Sequence, residues 1–202
     1  METEAPPKSF YLKLNPLAIV ASQVPGTGEA RVGLEMVASP KITTQISAGY
    51  LFKSPVFNAL LQDTSNFYKN FEFPGYRVQA QLRYYFFKLN RQQELSRIYK
   101  PSGLYISGHA SYAQASLKPK NSGSVPRIDF SHLNINFIAG VQLLYKDNLG
   151  LDVYGGIGYK QNTIAAFDSR GRKEFIDASQ FGLLYAYPLK VTLGASLVFG
   201  VF

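Results

Sequence analysis

The 202-residue chain has no cysteine and no tryptophan, only two histidines, and little charge. Asp, Glu, Lys and Arg make up 17% of it, where a soluble domain carries about a quarter. Without cysteine there is no disulfide scaffold, no thiolate metal site, no Cys nucleophile and no lipid-modified N-terminal cysteine. Nowhere do eighteen apolar residues run together, which excludes membrane-spanning helices. At 46% hydrophobic residues and a mean hydropathy of −0.07 the chain is not disordered either. What it does have is 14 Tyr, 15 Phe, 17 Gly and a net charge of +8, so something other than charge must keep its surface in its solvent. The length suits one large domain or two small ones.

Periodicity points to the fold. From Tyr76 the chain reads YRVQAQLRYYFF, with Val78, Ala80, Leu82, Tyr84 and Phe86 on one parity and Arg77, Gln79, Gln81 and Arg83 on the other. Period two makes a strand with one apolar and one polar face. The same alternation covers Phe10–Val20, Glu29–Ala38, Ile42–Phe52, Leu104–Ser116, Leu133–Tyr145, Leu149–Tyr159 and Val191–Phe202, giving eight strands of about ten residues or more. Soluble strands average about five or six residues, whereas a tilted membrane-spanning strand needs about 9–11. An eight-stranded soluble sandwich would bury the apolar parity as a core. Strand length instead favours an all-β, eight-stranded antiparallel transmembrane outer-membrane β-barrel, with the apolar parity on lipid. Tyr50, Tyr84, Tyr112, Tyr145 and Tyr159 then form interfacial girdles, and Lys13, Arg31, Glu35, Lys53, Arg77, Arg83, Asp152 and Lys160 face a narrow lumen.

Connection lengths agree. With both termini periplasmic, Ser54–Gly75, Lys118–Ser131 and Gln161–Lys190 are long outward loops, and Ser39–Lys41 and Lys146–Asn148 are tight inward turns. Leu89–Gly103 is a long basic periplasmic turn with room for a short helix. The ending GASLVF, followed by Gly200-Val201-Phe202, resembles the C-terminal insertion signal of such barrels. Residues 1–8 are a periplasmic N-terminal tail with no apolar signal segment, and 9–202 form the barrel.

Pro101-Ser102-Gly103-Leu104-Tyr105-Ile106, Ile138-Ala139-Gly140-Val141-Gln142 and Leu151-Asp152-Val153-Tyr154-Gly155-Gly156-Ile157-Gly158-Tyr159 resemble the landmarks of a Bacteroidota outer-membrane barrel family classed as a domain of unknown function. Leu12-Lys13-Leu14-Asn15-Pro16-Leu17 fits its first strand. The resemblance implies fold and compartment, and it carries over no catalytic residues.

The interior of an eight-stranded barrel is just wide enough for side chains, and Arg31, Arg77, Arg83, Tyr85, Tyr105 and Tyr154 are bulky. That argues against a diffusion pore, with Glu35 and Asp152 neutralising part of the arginine charge. His109-Ala110-Ser111 has the spacing of the His/Ser pair in lipid A deacylases, but its parity is luminal and no Glu accompanies it. His132, near Asp129 and Ser131, reads as a solvated loop-end imidazole. No metal spacing exists, and no cofactor is expected. The positive charge is scattered, with no stripe for nucleic acid. Arg170, Arg172 and Lys173 on an outward loop suit either lipopolysaccharide phosphates or plain solvation of the rim. Loop aromatics concentrate at Phe57, Leu60, Phe67, Tyr68, Phe71, Phe73, Phe181, Leu184, Tyr185 and Tyr187, as expected of either a partner contact or a cap over the barrel. The expectation is a non-enzymatic accessory or structural subunit of a larger outer-membrane complex, contacting lipid, lipopolysaccharide and other outer-membrane proteins. The alternative is a lipid-A-modifying enzyme centred on His109 and Ser111.

Overall fold

A computed structural model describes residues 10–20, 22, 26–56, 71–89, 100–120, 126–145, 149–177, 179 and 187–201. They form an all-antiparallel sheet of β1 (Phe10–Leu14), β2 (Thr27–Ser39), β3 (Ile42–Lys53), β4 (Phe71–Glu72), β5 (Gly75–Lys88), β6 (Gly103–Pro119), β7 (Arg127–Tyr145), β8 (Leu149–Phe167), β9 (Lys173–Ile176) and β10 (Leu189–Val201). Eight of these run in a ring of pairings, β1-β2-β3-β5-β6-β7-β8-β10 and back to β1. β4 and β9 are short additions that pair with β6 and β8. Phe10, Val201 and the Ser39–Ile42 turn lie at one end of the ring, called here the terminal end.

The expected alternation sets the two faces. Arg77, Gln81 and Arg83 of β5 are buried, while Val78, Leu82, Tyr84 and Phe86 between and after them are exposed. The same holds on β7, where His132, Asn134, Asn136 and Ile138 point in and Leu133, Ile135 and Phe137 point out. Polar side chains therefore fill the interior and apolar ones cover the exterior, the reverse of a water-soluble core.

That sidedness changes at one level. Tyr50, Tyr76, Tyr112 and Tyr159 stand on the outer face towards the far end, where Tyr50 pairs with Tyr76 and the Tyr76 and Tyr112 rings lie 6.3 Å apart. Beyond them the outward residues are Gln114, Ser116, Asp129, Ser131, Gln161 and Thr163. Ser116 donates to Asp129 at 2.7 Å, and the Arg127 guanidinium meets the same carboxylate at 3.1 Å. Inward at this level an apolar group forms beside the buried His132 and Glu29: Leu51, Ala113 and Ala115 pack with Phe73, which stacks on Phe130 at 5.8 Å. Around the tyrosines, then, polar side chains begin to appear on the outer face and an apolar group inside it.

Three expectations need correction. The first strand does not reach Val20: β1 ends at Leu14, and Leu17–Val20 form a four-residue helix, α1. Pro16 cannot donate to a ladder, and the Asn15 side chain accepts from the Ala18 amide at 3.1 Å, capping the helix. The Lys118–Ser131 and Gln161–Lys190 loops are shorter than expected, because β6, β7 and β8 run on through Pro119, from Arg127 and through Phe167. His132 is not at a solvated loop end. It is buried in β7, its Nδ1 2.6 Å from the Asn162 side-chain oxygen. The tail at 1–8 and most of the Leu89–Gly103 turn lie outside the described residues.

Candidate functional site

The interior is built in layers, each assembled by strand register. Nearest the terminal end Tyr11, Val37 and Val198 make an apolar floor, with Leu144 packed against it. Above it lies a charge network. Lys13 Nζ reaches Glu35 Oε2 at 2.7 Å, Asp152 Oδ2 at 2.8 Å and Gln142 Oε1 at 2.6 Å. Arg83 Nη1 donates to the same Asp152 and Gln142 oxygens at 2.8 and 3.1 Å. The Tyr105 hydroxyl donates to Asp152 Oδ1 at 2.7 Å, and Tyr85 and Thr43 donate to Glu35. Two cations face two carboxylates, each carboxylate taking hydrogen bonds as well, the condition under which buried charge is tolerated.

This network explains the landmark motifs. Tyr105, Gln142 and Asp152, one from each motif, converge on a single point, and Gln142 Nε2 also ties the Pro101 carbonyl at 2.8 Å. Gly140 stands directly opposite Tyr105 across the β6–β7 pair, where a Cβ would come within 2.6 Å of the Tyr105 ring. Gly194 makes the same room for Tyr154. The glycine and aromatic pattern is therefore a packing code for a crowded interior.

A second charge cluster lies toward the far end. Glu29 takes a bidentate pair from Arg31, 2.6 Å on each oxygen, and a bond from Arg77 at 3.0 Å. Lys190, also buried, has Arg77, Lys160 and Arg31 as electrostatic neighbours, with Glu29 as the carboxylate in range. Sequence reading places Arg31 and Arg77 inside but misses their partner. Glu29 shares the parity of Arg31 and could have been found from that spacing. Lys190 is missed because it falls in the expected Gln161–Lys190 loop whereas β10 begins at Leu189, and Gln142, although part of a landmark motif, carries no charge to mark it as a network member.

Between the clusters is a cavity of about 20 Å³, lined among others by Arg31, Gln45, Gln79, His109, Thr192 and Ser196. Gln79 Nε2, Thr192 Oγ1 and Gln45 Oε1 are buried without a hydrogen-bond partner. A void of this size holds a water or an ion of similar radius, not an organic substrate.

His109 and Ser111 both face the interior, as expected, and their contacts run sideways. The Asn136 amide lies 2.8 Å from His109 Nδ1, and Asn134 donates to Ser111 Oγ at 3.1 Å. Their cross-strand neighbours are Gln81, Gln79, Asn136 and Asn134, none of them acidic. The described residues contain no group of three or more His, Asp or Glu fit to hold a metal.

Of the loop residues expected to touch a partner, Phe73 lies half-buried in the apolar cap, Phe71 pairs with Pro119 in β4, and Tyr187 is exposed. Phe57, Leu60, Phe67, Tyr68, Phe181, Leu184 and Tyr185 lie outside the described residues. Arg170 and Arg172 sit at an exposed hairpin tip where both backbone amides donate to Asp168, and Lys173 lies over the Phe175 ring at 4.5 Å. On the outer wall the sequence gives no hint of a further feature, an apolar groove of about 250 Å³ over Gly108, bordered by Leu82, Tyr84, Ile106 and Phe137.

No family model matches the chain, and no curated protein matches it. Among solved structures a major outer membrane protein from Thermus thermophilus is similar over 96% of this chain and 100% of that one, at 12% identity and a TM-score of 0.48. A similarity at that level says nothing of a shared activity.

Proposed function

We propose that the chain is an eight-stranded barrel of the bacterial outer membrane, with both termini periplasmic, acting without catalysis as a structural or accessory subunit of a larger outer-membrane assembly for transport, secretion or barrel assembly. The observation that carries the membrane reading is the change of sidedness around the tyrosines. An apolar exterior is stable only in lipid, and a polar exterior over an apolar interior only in water, so the tyrosine level is the interface. The ten residue steps from Tyr76 to Phe86, at about 3.3 Å each and tilted by about 40°, cover about 25 Å, the height of the apolar band of such barrels.

The layered interior supports the non-conducting part of the reading. An apolar floor, a balanced ion network and an apolar cap leave a void of about 20 Å³. Among the described residues that filling speaks against passage through the barrel, so contact falls to the loops and the wall. Loop cations at Arg170, Arg172 and Lys173 suit lipopolysaccharide phosphates, and the groove over Gly108 suits an apolar side chain of a neighbouring membrane protein. A lipid-A-modifying enzyme is not favoured by any contact of His109 or Ser111.

The test is purification from the native membrane in mild detergent, alongside Gly108→Leu. A Cβ at Gly108 would meet nothing within 4 Å, so the variant folds as before while filling the groove. A stoichiometric outer-membrane partner that Gly108→Leu releases is the expected result. A lone barrel in both preparations would overturn the subunit reading.

A further inference from the structure

Beside β1 the ring of pairings is complete only near the terminal end. β1 is five residues long and covers β10 from Leu197 to Val201 and β2 from Val32 to Met36. Toward the far end β10 reaches back to Leu189 and β2 to Thr27 with no strand between them. α1 stands in this opening and touches both strands. Its bonds hold it to the β2 side, where the Ile19 carbonyl lies against Gly28 and Ser54, just past β3, donates to the Val20 carbonyl.

The first strand itself is unfit to fill the opening. Carried on in the β1 register, Leu17 would lie between Glu29 and Gly194 and Ile19 between Thr27 and Thr192, both with their side chains turned inward. That would set apolar side chains against the Glu29 cluster, and Pro16 has no N–H for the ladder.

Register identifies the backbone groups of β10 that are left over. The Lys160 amide donates to the Pro188 carbonyl at 2.7 Å, so every second residue from 188 turns its N–H and C=O toward β8. Leu189, Val191, Leu193 and Ala195 therefore direct theirs to the open side, and among the described residues nothing bonds to them there. Their side chains stand bare as well: Val191 is 65% exposed and Leu193 77%, whereas Leu197, flanked by β1, is 39%. Leu189 pairs with Tyr159 at the tyrosine level and Ala195 with Val153 within the apolar band. Acyl chains cannot bond peptide groups, so an open sheet edge is not tolerated at that depth. A row of N–H and C=O groups on alternate residues is matched by another extended backbone.

We propose that the edge of β10 from Leu189 to Ala195 is a strand-pairing site, occupied in the membrane by an extended segment of a different outer-membrane polypeptide, with apolar side chains outward. A second copy is a poor fit. Two copies related by an axis along the membrane normal would bring these edges together with their outer faces turned opposite ways. The site rests on the subunit role proposed above and adds a contact about opposite, around the ring, to the Gly108 groove on β6.

Proline tests the edge, because it is accepted where an N–H faces an open side and not where the N–H serves the ladder. In the full chain refolded in detergent micelles, Val191→Pro should unfold at the wild-type midpoint and Thr192→Pro well below it. An equal loss in both variants would mean that the edge is paired within the chain and would overturn the proposal. In native membranes, benzoylphenylalanine in place of Leu193 should crosslink on irradiation to a second, different polypeptide. Adducts with lipid alone or with another copy alone would overturn it. On purification in mild detergent the wild type should keep that polypeptide in stoichiometric amount and Val191→Pro should lose it. A partner that Val191→Pro keeps and Gly108→Leu releases would sink the edge and leave the subunit role standing, whereas a lone wild-type barrel would overturn both.

Discussion

At Gly140 the crowding of the interior is most severe. A methyl there would stand 2.6 Å from the Tyr105 Cζ and hydroxyl oxygen, so Gly140→Ala must push the ring off Asp152. Overpacking of this kind costs about 1–3 kcal/mol, readable as a lower urea midpoint for unfolding from detergent micelles. Asp152 is the more sensitive position. It accepts from Lys13, Arg83 and Tyr105 with no exposure to solvent. Asp152→Asn keeps the shape and strands two cations beside Glu35, so the expected loss is about 3–5 kcal/mol. Arg172→Ala, at an exposed hairpin tip, should stay within about 0.5 kcal/mol in the same assay.

At the scale of elements, α1 is where local chemistry overrides periodicity. The alternation of Phe10, Leu12 and Leu14 continues on paper towards Val20, but Pro16 and the Asn15 cap turn the chain into a helix. Asn15 also donates to the Tyr154 hydroxyl at 3.2 Å, and Ser54 Oγ donates to the Val20 carbonyl at 2.6 Å. Asn15→Ala should therefore cost about 1 kcal/mol and expose the Ala18 amide to hydrogen exchange, leaving β7 and β8 protected. Equal protection at Ala18 in both proteins would mean that the cap does not hold the helix. Strand identity was largely legible in the sequence, because period two makes a strand, and the facing followed from strand length, which sets these strands apart from the shorter ones of a soluble sandwich. The far ends of β6, β7 and β8 were not. There the outward residues turn polar and the inward ones apolar, so Ser116, Asp129 and Thr163 look like loop composition although they lie in strands. The ion network was half legible: parity places Arg83 and Asp152 on the same face, whereas the meeting of Lys13, Gln142 and Asp152 depends on the ring returning from β10 to β1.

For the whole molecule, the ring of pairings, the filled interior and the polar residues beyond the tyrosines are what the proposed outer-membrane barrel needs to meet lipid and water. Arginine substitutions on the outer face should separate them. Leu82→Arg or Ile135→Arg, mid-height between the tyrosines, should each cost about 2–4 kcal/mol in a bilayer, and Ser131→Arg or Thr163→Arg, beyond the Tyr112 and Tyr159 level, close to none. A flat profile along the strand would place all four positions in the same solvent.

The most direct test exploits the absence of cysteine, which lets single cysteines be introduced and spin-labelled without background. Labels at Val78, Leu82, Ile135 and Ile157, and at Ser116, Ser131 and Thr163, would be compared in lipid vesicles for collision with dissolved oxygen and with a water-soluble nickel chelate. The account predicts high oxygen and low nickel accessibility at the first four positions, and the reverse at the last three, with the crossover at the tyrosines. Nickel accessibility as high at Leu82 and Ile135 as at Ser131 would contradict it.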